Sequence, residues 1–499
     1  MSTTHRKSDT LYYQLAEELA QAIASGLLRQ GDKLPSIRKL SAERQLSLST
    51  IMEAYRELED RGLVEARPQS GFYVRAIRLF AAPELTQPPP HPSHVVIDPL
   101  FTPSALSKIN QVKVDFGLAI LSPKLFPNQQ VQRILSQVTR NDLDLLAHYG
   151  ESHGDIELRR QIARRSLTWG GQVEADDVLI THGAIEALNL CLRAVTQPGD
   201  VVAIESPAYF GLLQILESFK LKALEIPTHP KTGISIEALE LATRDASVKA
   251  CVLLPNFSNP SGSLMPDENK RRLVELLDKR NIPLIEDDIY GEFYYHGDRP
   301  RPAKAFDKSG NVMLIASFTK LLAPAFRIGW VLGGRWQKQI EQLKFINTFS
   351  TSVILQKTIA HFLESGGYDH HLRRLRKSCA EQVNDAVNAI QRYFPADTRL
   401  NVPQGGYVLW LELNAKVDTE RLLYSALAEG ISFTPGSLFS PSASYRNCLR
   451  ICCGEPWTVK HEKAIARLGQ MVQAQLGSVD DCFADRVCAD FGLKQGTER

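Results

Sequence analysis

The 499-residue sequence has no apolar stretch long enough to span a bilayer, and its first 30 residues lack the apolar core of a signal peptide. We therefore expect a cytoplasmic protein with no membrane partner. The formal net charge is only +2, so no global basic field indicates nucleic acid. The eight cysteines form no CxxC pairs or Cys/His clusters, which favours reduced thiols and predicts neither a disulfide framework nor a metal site.

A proline-rich stretch divides the chain. Residues 80–94 read "FAAPELTQPPPHPSH", and three consecutive prolines cannot continue a helix or a central strand. We predict an N-terminal domain over residues 1–76, a semi-rigid linker over 77–112 and a larger domain over 113–477. Residues 478–499 lose apolar periodicity, which predicts a mobile tail.

The larger domain alternates short apolar runs with amphipathic stretches. Candidate strands are "DVLIT" (177–181), "DVVAIE" (200–205), "KACVLL" (249–254), "IPLIEDD" (282–288) and "VMLIAS" (312–317). Helical patterns between them cover Ala184–Thr196, Tyr209–Phe219 and Asp267–Arg280. Short buried strands that alternate with helices predict an α/β fold with a parallel sheet covered on both faces.

The N-terminal segment predicts three helices followed by a hairpin. Leu11, Leu15, Leu19 and Ile23 recur at the period of one helix face. "PS" at 35–36 opens a second helix, and Ser47 or Ser49 can cap a third. "LVEA" and "GFYVR" then predict two strands. This order is that of an α+β winged helix-turn-helix, although the pattern alone leaves open a small helical bundle with no DNA role.

Three phrases of this segment, "GDKLPSIRKLSAE", "YRELEDRG" and "ARPQSGFYV", resemble the GntR-type winged helix. The resemblance implies binding to double-stranded DNA, with the third helix in the major groove and the wing along the minor groove. The implied DNA-contacting residues are Arg38, Ser47, Ser49, Thr50, Arg67, Ser70 and Gly71. Leu48 and Met52 depart from the polar residues usual there. Because residues 1–80 hold 12 Lys/Arg against 10 Asp/Glu, we expect a dimer to be needed for tight binding.

The stretch "SFTKLLAPAFRIGW" places Lys320 and Arg327 in a segment that otherwise suggests a buried core. Burying an unpaired charge is costly, so these cations should hold something. A lysine in apolar surroundings has a lowered pKa and can act as a neutral amine toward an aldehyde. For an isolated lysine the simpler interpretation is a side chain that extends from a strand end into solvent.

Three further phrases lie at predicted strand ends: "IEDDIYGEFYY", "LLPNFSNPSGS" and "THGAIEAL". In open α/β sheets ligands bind at such ends, and a glycine turn that opens a helix can take a phosphate. Together, residues 113–475 resemble the fold-type-I pyridoxal-phosphate aminotransferases, which implies an α/β fold with a smaller α+β C-terminal subdomain.

The resemblance implies a role for each matching residue. Lys320 would hold the aldehyde of pyridoxal 5'-phosphate as an internal aldimine, and Asp287 would pair with the pyridine nitrogen. The spacing of three to Tyr290 selects Asp287 over Asp288. The other implied cofactor-binding residues are Asn259, Tyr290, Tyr209, Gly183, Ala184, Ile185, Ser317, Arg327 and, from the neighbouring subunit, Tyr149. Arg450 would receive a substrate α-carboxylate. Ala184 and Ile185 carry neither hydroxyl nor amide, so a phosphate would rely more on backbone amides and Arg327.

A GntR winged helix joined to an aminotransferase-like domain resembles the MocR-type regulators. This implies a homodimeric transcriptional regulator that senses pyridoxal phosphate or an amino-compound effector through a lysine aldimine. The alternative is an active aminotransferase with an accessory DNA-binding domain, because the catalytic set Lys320, Asp287 and Tyr290 is present. A third interpretation, a dead scaffold for dimerisation, does not explain why Lys320 and Arg327 are both retained.

Overall fold

The computed structural model describes residues 10–24, 27–28, 31–60, 62–67, 70–74, 80–95, 112–245, 247–442 and 444–477. The chain divides into two compact units, Met1–Ala81 and Ala82–Arg499. The predicted tail, 478–499, and most of the predicted linker lie outside the described residues.

The N-terminal unit contains the three predicted helices and the hairpin. They are α1 (Leu11–Ala24), α2 (Ile37–Arg44), α3 (Leu48–Asp60), β1 (Val64–Arg67) and β2 (Gly71–Val74), with β1 and β2 antiparallel. Leu15 and Leu19 of α1 pack in one core with Ile51 and Leu58 of α3. The apolar period of α1 therefore marks its buried face, as the sequence indicates.

Serine caps begin the second and third helices. The Ser36 side chain accepts a hydrogen bond from the Lys39 amide at the start of α2. The Ser47 Oγ accepts one from the Thr50 amide at 3.1 Å at the start of α3. Each cap provides a partner for an amide that the helix itself leaves unpaired.

The C-terminal unit is built on a large mixed sheet. Within the described residues the strand order is β3-β7-β6-β9-β10-β11-β12-β5, with β8 paired to β7. The strands are β3 (Ser93–His94), β5 (Val178–Thr181), β6 (Val201–Ser206), β7 (Lys222–His229), β8 (Gly233–Ile234), β9 (Val248–Leu253), β10 (Leu284–Asp287), β11 (Val312–Ser317) and β12 (Gly329–Leu332). Strands β7, β6, β9, β10 and β11 run parallel, whereas β12 is antiparallel to both β11 and β5.

Neighbouring residues of one strand belong to different apolar clusters. Ile285 packs with helices on one face, and Leu284 packs with helices on the other. Successive strand side chains point to opposite faces, so both faces of the sheet are covered, as predicted. The helices of this unit are α4 (Asn128–Asn141), α5 (Ile156–Ser166), α6 (Gly183–Val195), α7 (Phe210–Ser218), α8 (Ile236–Ala242), α9 (Asp267–Lys279), α10 (Gln337–Thr348), α11 (Val353–Glu364), α12 (Gly367–Tyr393), α13 (Thr419–Ala428) and α14 (Val459–Gly477).

A smaller antiparallel sheet forms the C-terminal subdomain. Its order is β13-β14-β17-β16, from β13 (Arg399–Leu400), β14 (Val408–Glu412), β16 (Thr434–Pro435) and β17 (Cys448–Cys452). Two further strands, β4 (Val114–Asp115) and β15 (Ile431–Ser432), pair in parallel. This pairing attaches the segment that follows β4 to the subdomain.

Part of the predicted linker lies against the C-terminal unit. β3 pairs antiparallel with β7 at the edge of the large sheet. The Glu84 amide donates to the Glu412 carboxylate at 2.9 Å, and the Thr86 hydroxyl donates to the Ser206 carbonyl oxygen at 3.0 Å. The sequence predicts a separate linker over 77–112, whereas the structure attaches its described residues from Ala82 to Val95 to this unit.

Among the described residues, no helix is both long and apolar enough to cross a membrane. The six cysteines in the same part of the chain are buried and form no disulfide.

Candidate functional site

Several strand ends meet at one edge of the large sheet, where they surround a cavity of about 300 Å³. Asp287 ends β10, Ser317 ends β11, and α6 begins two residues after β5. The cavity is lined by Leu118, Ala119, Ile120, Ala184, Ile185, Leu188, Tyr209, Phe210, Leu254, Asn259, Asp287, Ile289, Tyr290, Ser317, Thr319, Lys320, Arg327 and Arg450. Parallel strands bring their carboxyl ends to one edge, which explains why residues far apart in sequence meet here.

Lys320 lies three residues beyond the end of β11 and lines the cavity. The Nζ donates a hydrogen bond to the Ala119 carbonyl oxygen at 2.5 Å. Burial lowers the pKa of Lys320 to about 8, and the nearby Arg450 and Arg327 lower it too. A substantial fraction of this amine is therefore neutral near physiological pH, the form that attacks an aldehyde.

Asp287 and Asp288 differ sharply in their surroundings. The Asp287 carboxylate lines the cavity, and its Oδ1 accepts a hydrogen bond from the Ile289 amide at 3.2 Å. Burial raises the pKa of Asp287 to about 7. Asp288 instead accepts hydrogen bonds from Asn256 and from the Arg299 guanidinium. Asp288 thus has its partners within the protein, and Asp287 is the carboxylate available to a ligand.

Asn259, Tyr290 and Arg450 form a hydrogen-bonded row beside the cavity. Asn259 Nδ2 donates to the Tyr290 hydroxyl at 3.3 Å, and Arg450 Nη1 donates to Asn259 Oδ1 at 3.0 Å. Arg450 Nη2 also donates to Thr434 Oγ1 at 2.9 Å and to the Gly117 carbonyl oxygen. Burial raises the pKa of the Tyr290 phenol and lowers that of the Arg450 guanidinium. These three side chains come from two subdomains, so the site is assembled between them.

A second cluster of donors lies at the start of α6. Gly183 has φ +74°, and a Cβ there would approach Arg327 Nη2 to 3.0 Å. The Ser317 hydroxyl bonds Thr319 Oγ1 at 2.7 Å, and Arg327 Nη1 lies 3.5 Å from that same oxygen. The first amides of α6 lack intrahelical partners. A helix start, two hydroxyls and a guanidinium together suit a phosphate group.

Comparisons with known proteins agree with this architecture. The family model "Aminotransferase class I and II" matches residues 116–468, and the model "Bacterial regulatory proteins, gntR family" matches residues 11–74. The uncharacterized HTH-type transcriptional regulator YdcR of Escherichia coli (strain K12) is 41% identical over 467 residues, 93% of this chain and 99% of that one. The HTH-type transcriptional regulator NorG of Staphylococcus aureus (strain USA300) is 26% identical over 426 residues, 82% of this chain and 92% of that one.

The chain is a member of the MocR-type family of GntR regulators. Among solved structures, the kynurenine aminotransferase of Pyrococcus horikoshii superposes with a TM-score of 0.70 at 27% identity, covering 75% of this chain and 94% of that one. The predicted family and fold class are thus confirmed, with a GntR DNA-binding domain and a fold-type-I aminotransferase domain in one chain.

The site of this MocR-type chain fits pyridoxal phosphate, the cofactor that members of its aminotransferase fold bind. The donor set contains a buried amine, a buried carboxylate, and a guanidinium beside a helix start. Gly183 leaves this helix start open, because a Cβ at that position would crowd the Arg327 guanidinium. Arg450 Nε is buried and has no hydrogen-bond partner within the described residues, so it can still receive an acceptor. The residues therefore match an aldehyde, a ring nitrogen, a phosphate and a carboxylate.

Tyr149 does not line the cavity of its own chain. Its side chain is 89% exposed, and its ring contacts that of Phe349 at a centroid distance of 5.5 Å. The sequence predicts that Tyr149 reaches the cofactor of the neighbouring subunit. This role of Tyr149 stays a prediction. Every other predicted cofactor-binding residue except Gly183 lines the cavity directly, and Gly183 lies next to Arg327 at its edge.

The predicted DNA-contacting residues lie on α2, at the start of α3 and in the hairpin of the N-terminal unit. Arg38, Ser47 and Ser49 are exposed. Arg67 is exposed as well, with its guanidinium carbon 4.4 Å from the centre of the Tyr73 ring, and the Ser70 hydroxyl bonds that of Tyr73 at 2.7 Å. These contacts lie in the short hairpin that forms the predicted wing. The DNA-contacting roles of all these residues stay predictions.

Sequence reasoning missed several lining residues. The Thr319 hydroxyl forms hydrogen bonds with both Ser317 and Arg327. The sequence does contain a signal for this role, because Thr319 directly precedes Lys320. Leu118, Ala119 and Ile120 follow β4 in a segment with no motif. Thr434 lies outside this lining but accepts a hydrogen bond from Arg450, and the pairing of β16 with β17 brings the two residues together.

Proposed function

We propose that this protein is a cytoplasmic DNA-binding transcriptional regulator whose aminotransferase-like unit binds pyridoxal 5'-phosphate and senses an amino compound. The observation that carries the proposal is the convergence of Lys320, Asp287, Arg327 and Arg450 on one cavity, in a chain that also contains a winged helix. A scaffold that served only dimerisation would have no use for three cations and a carboxylate around a cavity.

The chain's own residues divide the work. Pyridoxal phosphate supplies an aldehyde that forms an imine with an amine, and Lys320 is the amine placed to hold it. Asp287 would keep a proton at the ring nitrogen, while Asn259 and Tyr290 would donate to the phenolic oxygen. Tyr209 would pack on the ring. Ser317, Arg327 and the first amides of α6, at Gly183, Ala184 and Ile185, would hold the phosphate, and Arg450 would receive the carboxylate of the amino compound.

Sensing would depend on Lys320, which follows a strand of the large sheet, and on Arg450 of the small subdomain. Pyridoxal phosphate would supply an aldehyde for which Lys320 and an amino compound compete, and a bound amino compound would contact both the cofactor and Arg450. Such a ligand favours whichever arrangement of the two subdomains lets both contacts form. Only a ligand that binds one arrangement better than the other can change DNA affinity.

A homodimer is part of the proposal. The aromatic rings of Tyr149 and Phe349 lie in contact, and Phe349 also packs on Phe345 at a centroid distance of 5.1 Å. Ile346, next in the chain to Phe345, is 78% exposed. Contiguous exposed apolar side chains of this kind mark an interaction surface. Pairing through this surface would bury it and would bring Tyr149 toward a second subunit.

A second candidate function is transamination. The residue types needed to bind an amino compound and to transfer protons at it are all present, namely Lys320, Asp287, Tyr290 and Arg450. This role does not exclude regulation. A second oxo acid must be supplied to take up the amino group. Release of more than one equivalent of oxo acid per site from an amino acid, measured with and without operator DNA, then distinguishes a turning-over enzyme from a sensor.

The proposal is tested by the Lys320→Ala variant, with Lys338→Ala, an exposed lysine on α10, as the matched control. We expect Lys320→Ala to lose the visible absorption band of the lysine-bound cofactor and to bind operator DNA without any response to amino compounds. Lys338→Ala should keep both properties. If Lys320→Ala responded to amino compounds in DNA binding as the unmodified chain does, the sensing mechanism would be wrong.

A further inference from the structure

We propose that the amino compound is an α-amino acid with a neutral, apolar side chain. The inference rests on the proposed function and concerns the class of ligand that the same cavity accepts. It follows from how the charges of the cavity are distributed and from which side chains form the remaining wall.

The cations that line the cavity, among the residues the structure describes, are Lys320, Arg327 and Arg450. Arg327 lies at the start of α6 beside Gly183, within the donor cluster for a phosphate. Lys320 holds the aldehyde until an amino compound displaces it, and its free amine has the Ala119 carbonyl oxygen as a hydrogen-bond partner. Arg450 is therefore the one guanidinium among the described lining residues that remains for the ligand, and it matches one carboxylate.

A second carboxylate on the ligand would find no further guanidinium in the described lining. Asp287, the carboxylate that lines the cavity, is assigned to the ring nitrogen and offers no positive charge to it. Placing an ionised group in such surroundings costs free energy unless the group is paired and hydrogen-bonded. Aspartate- and glutamate-like compounds are thus disfavoured by the same wall that accepts one carboxylate.

The segment from Gly117 to Ile120 shows where the ligand side chain would lie. The Gly117 carbonyl oxygen accepts from Arg450, and the Ala119 carbonyl oxygen accepts from Lys320. This segment therefore runs alongside the path between the two cations that a bound amino acid would span. Its lining side chains are Leu118, Ala119 and Ile120, all apolar.

Phe210 completes the apolar wall on the Arg450 side. The guanidinium carbon of Arg450 lies 5.9 Å from the centre of the Phe210 ring, and Phe210 lines the cavity as well. Leu118, Ile120 and Phe210 together offer a surface on which an aliphatic or aromatic side chain loses its contact with water. Burial of such a side chain improves binding by roughly tenfold or more.

The experiment is a titration of the full-length, cofactor-loaded protein, followed by its visible absorption spectrum. L-Methionine and L-glutamate are the main pair, because their side chains have similar length but differ in charge; L-phenylalanine and L-aspartate form a second pair. We expect the apolar member of each pair to reach half-saturation at a concentration roughly tenfold lower or more. Half-saturation by the acidic members at equal or lower concentration would overturn the inference.

A gain-of-charge variant sharpens the test. Ile120 is 53% exposed, so Ile120→Arg adds a cation at the cavity without burying it. We expect this variant to shift half-saturation toward L-glutamate and away from L-methionine. Leu241→Arg, at an exposed position of α8 that does not line the cavity, is the matched control and should leave both values unchanged. An Ile120→Arg variant with the same preference as the control would count against the apolar wall.

The two proposals fail in different ways. If the loaded protein shows the visible band but no amino compound alters it, the sensing function fails and the ligand class falls with it. If acidic amino acids alter the band most strongly, sensing stands and only the ligand class is overturned.

Discussion

At the scale of single residues, the site places a proton donor and a proton acceptor with pKa values close to neutrality in one cavity. Burial lowers the pKa of Lys320 to about 8 and raises that of Asp287 to about 7. Both shifts arise because a low-dielectric surrounding disfavours the charged form of each group. A group that binds an aldehyde at neutral pH needs such a shift, since an ordinary exposed lysine is almost fully protonated there.

The shift of Lys320 predicts how cofactor capture depends on pH. Because the neutral amine is the reacting form, the rate at which the visible band appears should rise about tenfold per unit of pH below about 8 and level off above it. Rapid mixing of the cofactor-free protein with pyridoxal phosphate measures this. Pyridoxamine phosphate, which lacks the aldehyde, is the control and should bind without that rise. A flat rate below pH 8 would contradict the assignment of Lys320.

The same shift has a consequence for stability. Between about pH 8 and the ordinary lysine value of 10.5, the unfolded chain holds more protons than the folded chain. The Lys320 contribution to the free energy of unfolding of the cofactor-free protein therefore increases as pH rises through this window.

Asp287 and Asp288 provide a matched pair of substitutions. Since the pKa of Asp287 is raised from 3.8 to about 7, its ionisation destabilises the cofactor-free fold as pH rises through that window. At pH 8, Asp287→Asn should therefore raise the free energy of unfolding, by up to about 4 kcal/mol. Asp288→Asn should lower it by about 2 kcal/mol or more, because Arg299 loses one of its two buried carboxylate partners. Urea unfolding of the cofactor-free proteins measures both, and a shift of the same sign in both would be inconsistent with their different surroundings.

Much of the candidate site was predictable from residue order, because the chemistry-bearing residues follow apolar strands. Lys320 follows "VMLIAS" and Asp287 ends "PLIED", and the structure places both at the cavity. Leu118 and Ile120 were not predictable, since they enter the cavity through the pairing of β4 with β15, a contact between segments about 300 residues apart in the chain. The preference between Asp287 and Asp288 came only from a family spacing, whereas the structure provides the physical reason through Arg299.

At the scale of elements, α3 depends on a cap that lies within its predicted DNA-contacting end. The Ser47 hydroxyl accepts from the Thr50 amide and also bonds the hydroxyls of Ser49 and Thr50, both at 2.8 Å. The sequence could suggest Ser47 or Ser49 as the cap. The structure selects Ser47, because α3 begins at Leu48.

This cap separates a structural role from a DNA-binding role. Ser47→Ala should lower the stability of the first turn of α3 by about 1 kcal/mol, whereas Ser49→Ala leaves the cap in place and should change it by less than about 0.5 kcal/mol. Hydrogen exchange of the α3 amides in the full-length protein measures the difference. We expect both variants to bind operator DNA more weakly. Equal protection of α3 in the two variants would show that Ser47 is not the cap.

The element that the sequence described least well is the proline-rich segment. Three prolines predict an extended chain but not its partners. Glu84 and Thr86 connect the smaller sheet, through Glu412 and Arg399, with the large sheet, through Ser206. Those partners lie between about 120 and 330 residues away in sequence, so local pattern alone contains no signal for them.

At the scale of the whole molecule, the predicted role of Tyr149 implies that residues of two chains complete each site. Mixed dimers of a Lys320→Ala chain and a Tyr149→Ala chain test this. If Tyr149 serves its neighbour, the site with an intact Lys320 also receives an intact Tyr149, so each mixed dimer regains one complete site. Cofactor retention should therefore recover toward half of the unmodified value.

The alternative arrangement gives a different result in the same experiment. If Tyr149 acted within its own chain, both sites of the mixed dimer would carry a defect and retention would not recover. Dimers formed from either variant alone are the controls and should retain less cofactor than the mixture.

The exposed apolar surface around Tyr149, Phe345, Ile346 and Phe349 has a consequence for gene dosage. When assembly and cofactor binding favour the same state, each promotes the other by mass action. The fraction of complete sites then rises with the number of protein copies in a cell as well as with the supply of cofactor. Under the proposed function, a cell that doubled the expression of this chain would thereby lower the amount of cofactor needed to fill its sites.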